Sequence, residues 1–208
     1  WALLIAAGAG TVLLAVLLLR GAPPRLNGQK LRYLFVTAAA SYAVPNLLIF
    51  TVMPHLGAGY TGIMFTLTPM ITLVLSILLG VRRPNGLGVA GIAIGFAGAL
   101  MVATTRGEAG QPAALIWVAA GLLIPVCLSL GNIYRTWDWP EGAGPTELAA
   151  GSNLAAAVLL LAFMLASGQG GAIAGLADVP LLVALQVASA AGMFAFFFRL
   201  QAVGGPVY

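Results

Sequence analysis

The sequence predicts an all-α, polytopic membrane protein built from two inverted repeats of five helices each. Composition, the number of long apolar runs and an internal repeat all support this prediction. Apolar residues make up 61% of the 208-residue chain and charged residues only 7%, and the mean hydropathy is +1.04. A soluble domain carries about 25% charged residues. We therefore expect the chain to lie in a lipid bilayer.

Long apolar runs give the expected helices. A helix needs about 20 apolar residues to cross the hydrocarbon core of a bilayer, and seven runs approach or reach that length. In chain order they are Ala2–Leu19, Tyr33–Met53, Leu56–Gly80, Leu87–Thr105, Ala113–Tyr134, Leu148–Ala166 and Pro180–Phe198. An eighth is expected to begin near Ala202, so seven to eight helices are visible in the sequence.

The internal repeat has a shift of 147 positions. At this shift Ala2–Leu19 falls on Ala149–Ala166, and Tyr33–Val52 falls on Pro180–Arg199. Identities are sparse, but the boundaries between apolar and polar stretches agree. Duplicated helical membrane domains are typical of transporters, which hold their substrate between the halves. We expect about ten helices in the intact protein, with an odd number per repeat turning the second copy upside down.

The repeat divides the chain into three sections. Residues 1–106 are expected to form the first repeat without its first helix. Residues 107–146 then hold the first helix of the second repeat and a linker. Residues 147–208 hold the remainder of the second repeat, without its last two helices.

Basic residues predict the orientation of the chain. Eight of the nine Lys and Arg residues fall at the same side of the expected helices. They are Arg20, Arg25, Lys30, Arg32, Arg82, Arg83, Arg135 and Arg199. Only Arg106, beside Glu108, falls on the other side. The positive-inside rule then predicts that loops 20–32, 81–86 and 135–146 are cytoplasmic, in a plasma membrane of the bacterial inner-membrane type. This distribution explains the net charge of +4 without a nucleic-acid partner.

The segment Arg135–Pro145 is interpreted as a linker between the repeats, and not as a binding site. Trp137 and Trp139 suit the headgroup zone, where an amphipathic ring can lie half in water. Thr146 is expected to cap the helix that follows, with Glu147 in its first turn.

Glycines follow one face of the run Leu87–Thr105. Gly88, Gly91, Gly95 and Gly98 recur at spacings of three and four. Small residues allow membrane helices to approach closely. The sequence predicts a helix–helix seam on this face, and a homodimer interface through Gly91 and Gly95 is the alternative.

Three prolines fall near the middle of expected helices: Pro45, Pro69 and Pro125. Each removes a backbone donor and is expected to kink its helix. Two interpretations remain open. Hydroxyl groups of nearby Ser and Thr residues can satisfy the freed carbonyls, or the kinks can act as hinges that open a substrate cavity.

The segment Leu56–Gly80 carries the most specific pattern. Small residues come first, Thr66-Leu67-Thr68-Pro69 follows, and then come an apolar run, the basic pair Arg82-Arg83 and the glycine-rich helix. This order resembles the EamA-type branch of the drug/metabolite transporter superfamily. The resemblance implies that the visible helices are the second to the eighth of ten. It also implies a carrier, since relatives export amino acids, other metabolites or drugs, or carry nucleotide sugars. Relatives often have a Glu after the fourth helix, where this chain has Val81.

Polar and aromatic residues near mid-membrane are the candidate substrate-binding residues, because such transporters hold their substrate there. Tyr42 begins one stripe of residues spaced by four in the run Tyr33–Met53. Gln186 begins a second stripe in Pro180–Phe198, the run related to it by the repeat. For each residue a hydrogen bond between helices is the alternative to substrate contact. The candidates are Tyr42, Asn46, Phe50, Thr66, Thr68, Ser129, Asn132, Gln186, Ser189, Met193 and Phe197.

Titratable residues limit the chemistry. The five acidic residues fall in expected loops or at helix ends, and His55, the single His, falls in an expected turn after Pro54. Proton-coupled carriers usually keep a carboxylate or His inside the membrane, so the coupling ion is not predicted. Cys127, the single Cys, is expected to be a small apolar core residue. The residues suggest neither a metal site nor a cofactor, and no enzymatic activity.

These observations predict a secondary transporter, an exporter of a small amphipathic metabolite such as an amino acid, that works by alternating access. The expected partners are the solute and the lipid bilayer. A structural or receptor protein that transports nothing is the first alternative. An intramembrane enzyme is the second, although no nucleophile and base occur together in a catalytic pattern.

Overall fold

The structure, a computed structural model, describes residues 1–81, 86–104, 114–168 and 179–205. The regular structure of these ranges is helical throughout. The helices are α1 (Ala2–Leu19), α2 (Gly28–Ala38), a π-helical turn (Ala39–Ala43), α3 (Val44–Leu56), α4 (Ala58–Phe65), α5 (Thr68–Leu78), α6 (Gly86–Thr104), α7 (Leu115–Trp137), α8 (Pro145–Ala166) and α9 (Pro180–Gly204).

Six stretches of the described chain are long and apolar enough to cross a membrane. They are Ala2–Leu19, Gly28–Leu56, Ala58–Leu78, Leu115–Trp137, Pro145–Ala166 and Pro180–Gly204. The prediction of an all-α polytopic membrane protein is therefore confirmed. The helix ends Leu19 and Ala166 are related by the shift of 147 positions, but the duplication and the domain division remain predictions.

The chain forms two compact units, and the described part of the first consists of residues 1–43, 135–168 and 179–205. Its central helix is α8, which packs against α1, α2, the π-helical turn and α9. Helix α1 also packs against α9. This unit therefore buries one helix among its neighbours.

Glycines permit the close packing of the first unit. A Cβ atom on Gly10 would lie 2.8 Å from Leu154 Cγ and 3.0 Å from the Leu154 backbone nitrogen of α8. One on Gly151 of α8 would lie 2.7 Å from the methyl groups of Leu34 on α2. Between membrane helices, where lipid competes with apolar side chains, such close approach supplies much of the packing energy.

The second unit consists of Val44–Tyr134. Its core contains Val52 of α3, Tyr60 and Met64 of α4, and Ile124 of α7. Helix α6 packs against α4 and α5. This packing includes Gly95, where a Cβ atom would lie 2.8 Å from Met70 Sδ of α5, whereas a Cβ atom on Gly91 or Gly98 would meet nothing within 4 Å.

Several expected boundaries are wrong. Helix α3 continues through Pro54, so His55 lies in its last turn and not in a separate turn, and its ring stacks on Trp117 at 3.7 Å. Pro54 cannot donate a backbone hydrogen bond to the carbonyl one turn earlier, and α3 ends two residues later, at Leu56. Helix α9 continues to Gly204 and ends at Gly205, whose φ is 82°. An eighth helix therefore does not begin at Ala202, which lies inside α9.

The expected loops are shorter than the sequence suggested. Lys30 and Arg32 belong to the first turns of α2, and Gly86 begins α6. Residues 82–85, the loop around Arg106 and Asp178 lie outside the described residues. The cytoplasmic orientation of loops 20–32, 81–86 and 135–146 remains a prediction.

The linker also differs from its prediction. Helix α8 begins at Pro145, so Thr146 lies inside its first turn and does not cap it. Glu147 performs that role, because its carboxylate accepts a hydrogen bond of 3.4 Å from the backbone N–H of Gly144. Trp137 is 72% exposed, whereas Trp139 packs edge-on against Tyr33 with ring centroids 6.3 Å apart.

The three prolines have different surroundings. Pro45 is the second residue after the π-helical turn, and such turns are frequent at functional sites. Pro69 lies in the first turn of α5, after α4 has ended at Phe65. Pro125 lies inside α7, which continues past it to Trp137. A hinge role for any of them remains a prediction.

Candidate functional site

Buried polar atoms are concentrated where α2 and the π-helical turn pack against α8. Within the described chain, four of these atoms make no hydrogen bond: Thr37 Oγ1, Ser41 Oγ, Ser152 Oγ and Asn153 Oδ1. Thr37 and Ser41 are four residues apart, which places them on the same face of their helical segment. An unsatisfied polar group inside a bilayer costs several kcal/mol. Atoms of this kind therefore mark a place where a polar ligand or water can bind.

Tyr42 adds a phenol to this polar cluster, which we define as Thr37, Ser41, Tyr42, Ser152 and Asn153. Its side chain is buried, with 5% of its surface exposed. The Asn153 side chain lies next to its hydroxyl, and the Tyr42 ring packs against Phe194 of α9 with centroids 5.0 Å apart. Residues of α8, α9 and the π-helical turn thus meet around one phenol group.

Arg135 supplies a positive charge close to the cluster. The side chain is fully enclosed, and it interacts electrostatically with Tyr42. Its Nε atom donates a hydrogen bond of 2.8 Å to Gln201 Oε1. The guanidinium also lies over the rings of Phe197 and Phe198, with its Cζ atom 4.9 and 5.5 Å from their centroids. Such cation–π contacts strengthen when they are shielded from water.

Arg135 was predicted to be a solvated basic residue of a loop, and this prediction was wrong. Helix α7 extends three residues beyond its expected end at Tyr134, and the extension brings Arg135 into the interior. The pattern that could have shown this is the absence of a helix-breaking residue between Tyr134 and Pro140. Gln201 was missed as well, because α9 was expected to end at Phe198.

Ser129 and Asn132, two of the predicted residues, belong to a hydrogen-bond chain in the second unit. The Asn132 amide lies 3.5 Å from Thr72 Oγ1, which lies 3.0 Å from Ser129 Oγ. Ser129 in turn donates to the Thr68 carbonyl at 3.0 Å. This series of hydrogen bonds stabilises the start of α5, next to Pro69. Its acceptor is the Thr68 carbonyl and not the Phe65 carbonyl that Pro69 leaves free one turn earlier, so both interpretations of Pro69 stay open.

The other predicted residues are less enclosed. Phe197 is half-buried against Arg135, while Thr68 and Asn46 are partly buried. Thr66 is exposed and its hydroxyl donates to the Ile63 carbonyl at 2.7 Å. The members of the two long stripes that are exposed in the described chain are Phe50, Gln186, Ser189 and Met193. Substrate contact by any of these residues remains a prediction.

The exposure of Gln186 and Ser189 carries information about their surroundings. An amide or hydroxyl that faces lipid lacks partners, so such groups in membrane helices usually face protein or a water-filled cavity. We therefore expect the face of α9 that carries Gln186 and Ser189 to lie against polar groups of the protein or a water-filled cavity.

Three further features of the sequence are the single thiol, possible metal ligands and the glycine face of α6. Cys127 is a partly buried free thiol. Among the residues that the structure describes, no group of three or more His, Cys, Asp or Glu side chains could hold a metal ion. Gly91 is exposed and a Cβ atom there would meet nothing within 4 Å. The dimer alternative through Gly91 and Gly95 remains a prediction.

Apolar helices long enough to span a bilayer, with polar and charged side chains enclosed among them, define a multi-pass membrane protein. The family model of the EamA-like transporter family matches residues 1–104. The chain belongs to this family, and thus to the drug/metabolite transporter superfamily, as the pattern in Leu56–Gly80 predicted. No curated protein and no solved structure matches the chain.

Proposed function

We infer that this protein is a secondary transporter that exports a small amphipathic metabolite, such as an amino acid, by alternating access. Membership of the EamA-like transporter family supports the transport of a solute across a membrane. The choice of solute depends on the polar cluster, and export follows the resemblance to relatives that export metabolites.

The observation that carries the proposal is the set of unsatisfied polar atoms in the polar cluster. Ser41 Oγ and Asn153 Oδ1 are buried among membrane helices and make no hydrogen bond within the described chain. Burial of this kind is costly for a helix bundle whose only task is to be stable. A transported solute that hydrogen-bonds to these atoms would recover the cost each time it binds.

The surroundings of the cluster favour an amphipathic solute. Phe194 and Phe197 offer apolar ring surface, and Arg135 gives the region a positive potential. Arginine binds carboxylates with defined geometry, while aromatic rings accept the apolar part of a ligand. A zwitterionic amino acid with an apolar side chain combines both properties, and it would present its carboxylate towards the guanidinium.

Counterflow in proteoliposomes tests the proposal. The intact protein is reconstituted with unlabelled solute inside, and the entry of labelled solute is followed for a panel of neutral amino acids and nucleobases. Faster entry with an internal amino acid is expected. If no solute accelerates entry while the reconstituted protein is folded, the transport proposal fails and a structural or receptor role takes its place.

Single substitutions then test the cluster. Ser41→Ala and Asn153→Leu are expected to lower the rate of counterflow at subsaturating solute by about tenfold, since each removes a hydrogen bond of about 1.4 kcal/mol. Thr11→Val is the matched control, because the Thr11 hydroxyl is exposed and donates to the Ala7 carbonyl of its own helix. Asn46→Ala and Gln186→Ala test the two stripes in the same assay. Unchanged rates for both cluster variants would refute this site while leaving transport intact.

A further inference from the structure

A groove runs along the outside of the first unit, between α1, α2 and α8. Its cavity volume is about 260 Å³ and its wall is almost wholly apolar. At one end lie Lys30 and Glu147, and at the other lies Val158. The apolar side chains that form its wall include Leu14, Leu31, Leu34, Phe35, Leu154 and Val158. The polar cluster does not contribute to this groove.

The length of the groove matches one leaflet of a bilayer. Glu147 and Val158 are eleven residues apart on α8, which corresponds to about 16 Å along the helix. Half of a hydrocarbon core is about 15 Å thick. Since Glu147 lies in the first turn of α8, the groove begins near the polar surface of the membrane and ends close to its middle.

The polar end of the groove holds an ion pair between Lys30 and Glu147, and basic residues outnumber acidic ones around it. Residues 20–32 contain Arg20, Arg25, Lys30 and Arg32 and no acidic residue. Lys30 pairs with Glu147 and Arg32 pairs with Asp138. Arg25 is exposed between Pro24 and Leu26, both of which line the groove, so it lies at the rim. The N-termini of α2 and α8 also meet at this end, and their dipoles add positive potential.

We propose that this groove binds one anionic phospholipid of the surrounding bilayer. An acyl chain lies along the apolar wall, and the phosphate lies beside Arg25 at the two helix N-termini. A lipid fits better than a soluble peptide because the wall is apolar for the depth of one leaflet and the charge is confined to its end. Basic sites between membrane helices select anionic headgroups in this way.

Native mass spectrometry of the intact, delipidated protein in mild detergent tests the proposal. Phosphatidylglycerol and phosphatidylcholine of equal chain length are the probes. The wild type is expected to bind phosphatidylglycerol more tightly, and Arg25→Gln is expected to reduce that preference by about fivefold, as one basic residue near a membrane surface contributes. Arg199→Gln is the matched control, since Arg199 is an exposed cation of α9 that does not line the groove.

A second substitution tests the acyl chain. Val158→Trp fills the far end of the groove, and it is tolerable because Val158 is 55% exposed. This variant is expected to bind both lipids more weakly, while it still prefers phosphatidylglycerol to phosphatidylcholine. Leu31→Phe, at the other end of the wall, gives a second chance if Val158→Trp fails to fold. Equal binding of the two lipids by the wild type, undiminished binding by folded groove variants, or occupation of the groove by a second copy of the chain would overturn the proposal.

Discussion

Arg135 and Gln201 are joined by a hydrogen bond of 2.8 Å between Nε and Oε1, although 66 residues separate them in the chain. The bond connects the last turn of α7 to the last turn of α9, and both side chains are buried. It holds the guanidinium over Phe197 and Phe198. The amide thus helps to fix the position of the guanidinium that the proposed solute would meet.

Replacement of this amide tests its structural role. Gln201→Leu is expected to lower the free energy of unfolding by about 1.5–3 kcal/mol, because a buried donor of a charged group loses its acceptor. Reversible unfolding in mixed detergent and denaturing surfactant measures the change. Gln186→Leu is the control, since Gln186 is exposed on the same helix. Equal losses for both variants would show that the hydrogen bond to Arg135 contributes nothing specific.

The sequence predicted the helices well and the site incompletely, for physical reasons. Helix α1 was placed from Ala2 to Leu19, as the structure has it, because a bilayer imposes both length and apolarity on a span. The same rule says nothing about where a helix ends once it leaves the hydrocarbon. Arg135 was therefore assigned to a loop, although α7 continues through it.

Hydrogen bonds between helices were equally hidden from the sequence. Ser129 was a candidate for substrate contact, and the structure gives its hydroxyl to the Thr68 carbonyl 61 positions away. A single sequence without an alignment carries no information on such distant pairs. Tyr42, by contrast, was chosen for being polar and aromatic at mid-depth, and the structure buries its side chain beside Asn153. Its contact with a substrate stays a prediction.

The second prediction concerns the contribution of the ion pair between Lys30 and Glu147 to stability. Its atoms are 2.6 Å apart and its side chains are only 9% and 15% exposed. Lys30→Met is expected to cost about 3 kcal/mol of unfolding free energy, since it leaves a nearly buried carboxylate without its partner. The double variant with Glu147→Gln should recover part of the loss, because glutamine keeps an acceptor for the Gly144 N–H.

The matched comparison for that pair is Arg32 with Asp138. The Arg32 side chain is 63% exposed, so Arg32→Met is expected to cost no more than about 1 kcal/mol. Both variants are measured by surfactant unfolding at low and high salt. A Lys30→Met variant as mild as Arg32→Met would mean that the buried pair contributes little to stability.

The close contact between α1 and α8 gives a third prediction. Gly10→Ala places a Cβ atom against the Leu154 backbone, and such overpacking costs about 1–3 kcal/mol. Gly62→Ala is the control, because nothing lies within 4 Å of its Cβ position and the gain in helix propensity is the same. Gly10→Ala should therefore unfold more readily than Gly62→Ala. If the two variants are equally stable, the glycine is not required for the approach of these helices.

A substitution of Ser129 tests whether this predicted residue bonds helices together or contacts the substrate. Its hydroxyl lies between Thr72 and the Thr68 carbonyl, so Ser129→Ala is expected to lower the unfolding free energy by about 0.6–1 kcal/mol. The order of solute preference in counterflow should not change, because the hydroxyl already has its partners. Ser167→Ala is the control, since that hydroxyl is exposed and bonds within its own helix. A changed solute preference for Ser129→Ala, with stability equal to that of the control, would instead place Ser129 in contact with the solute.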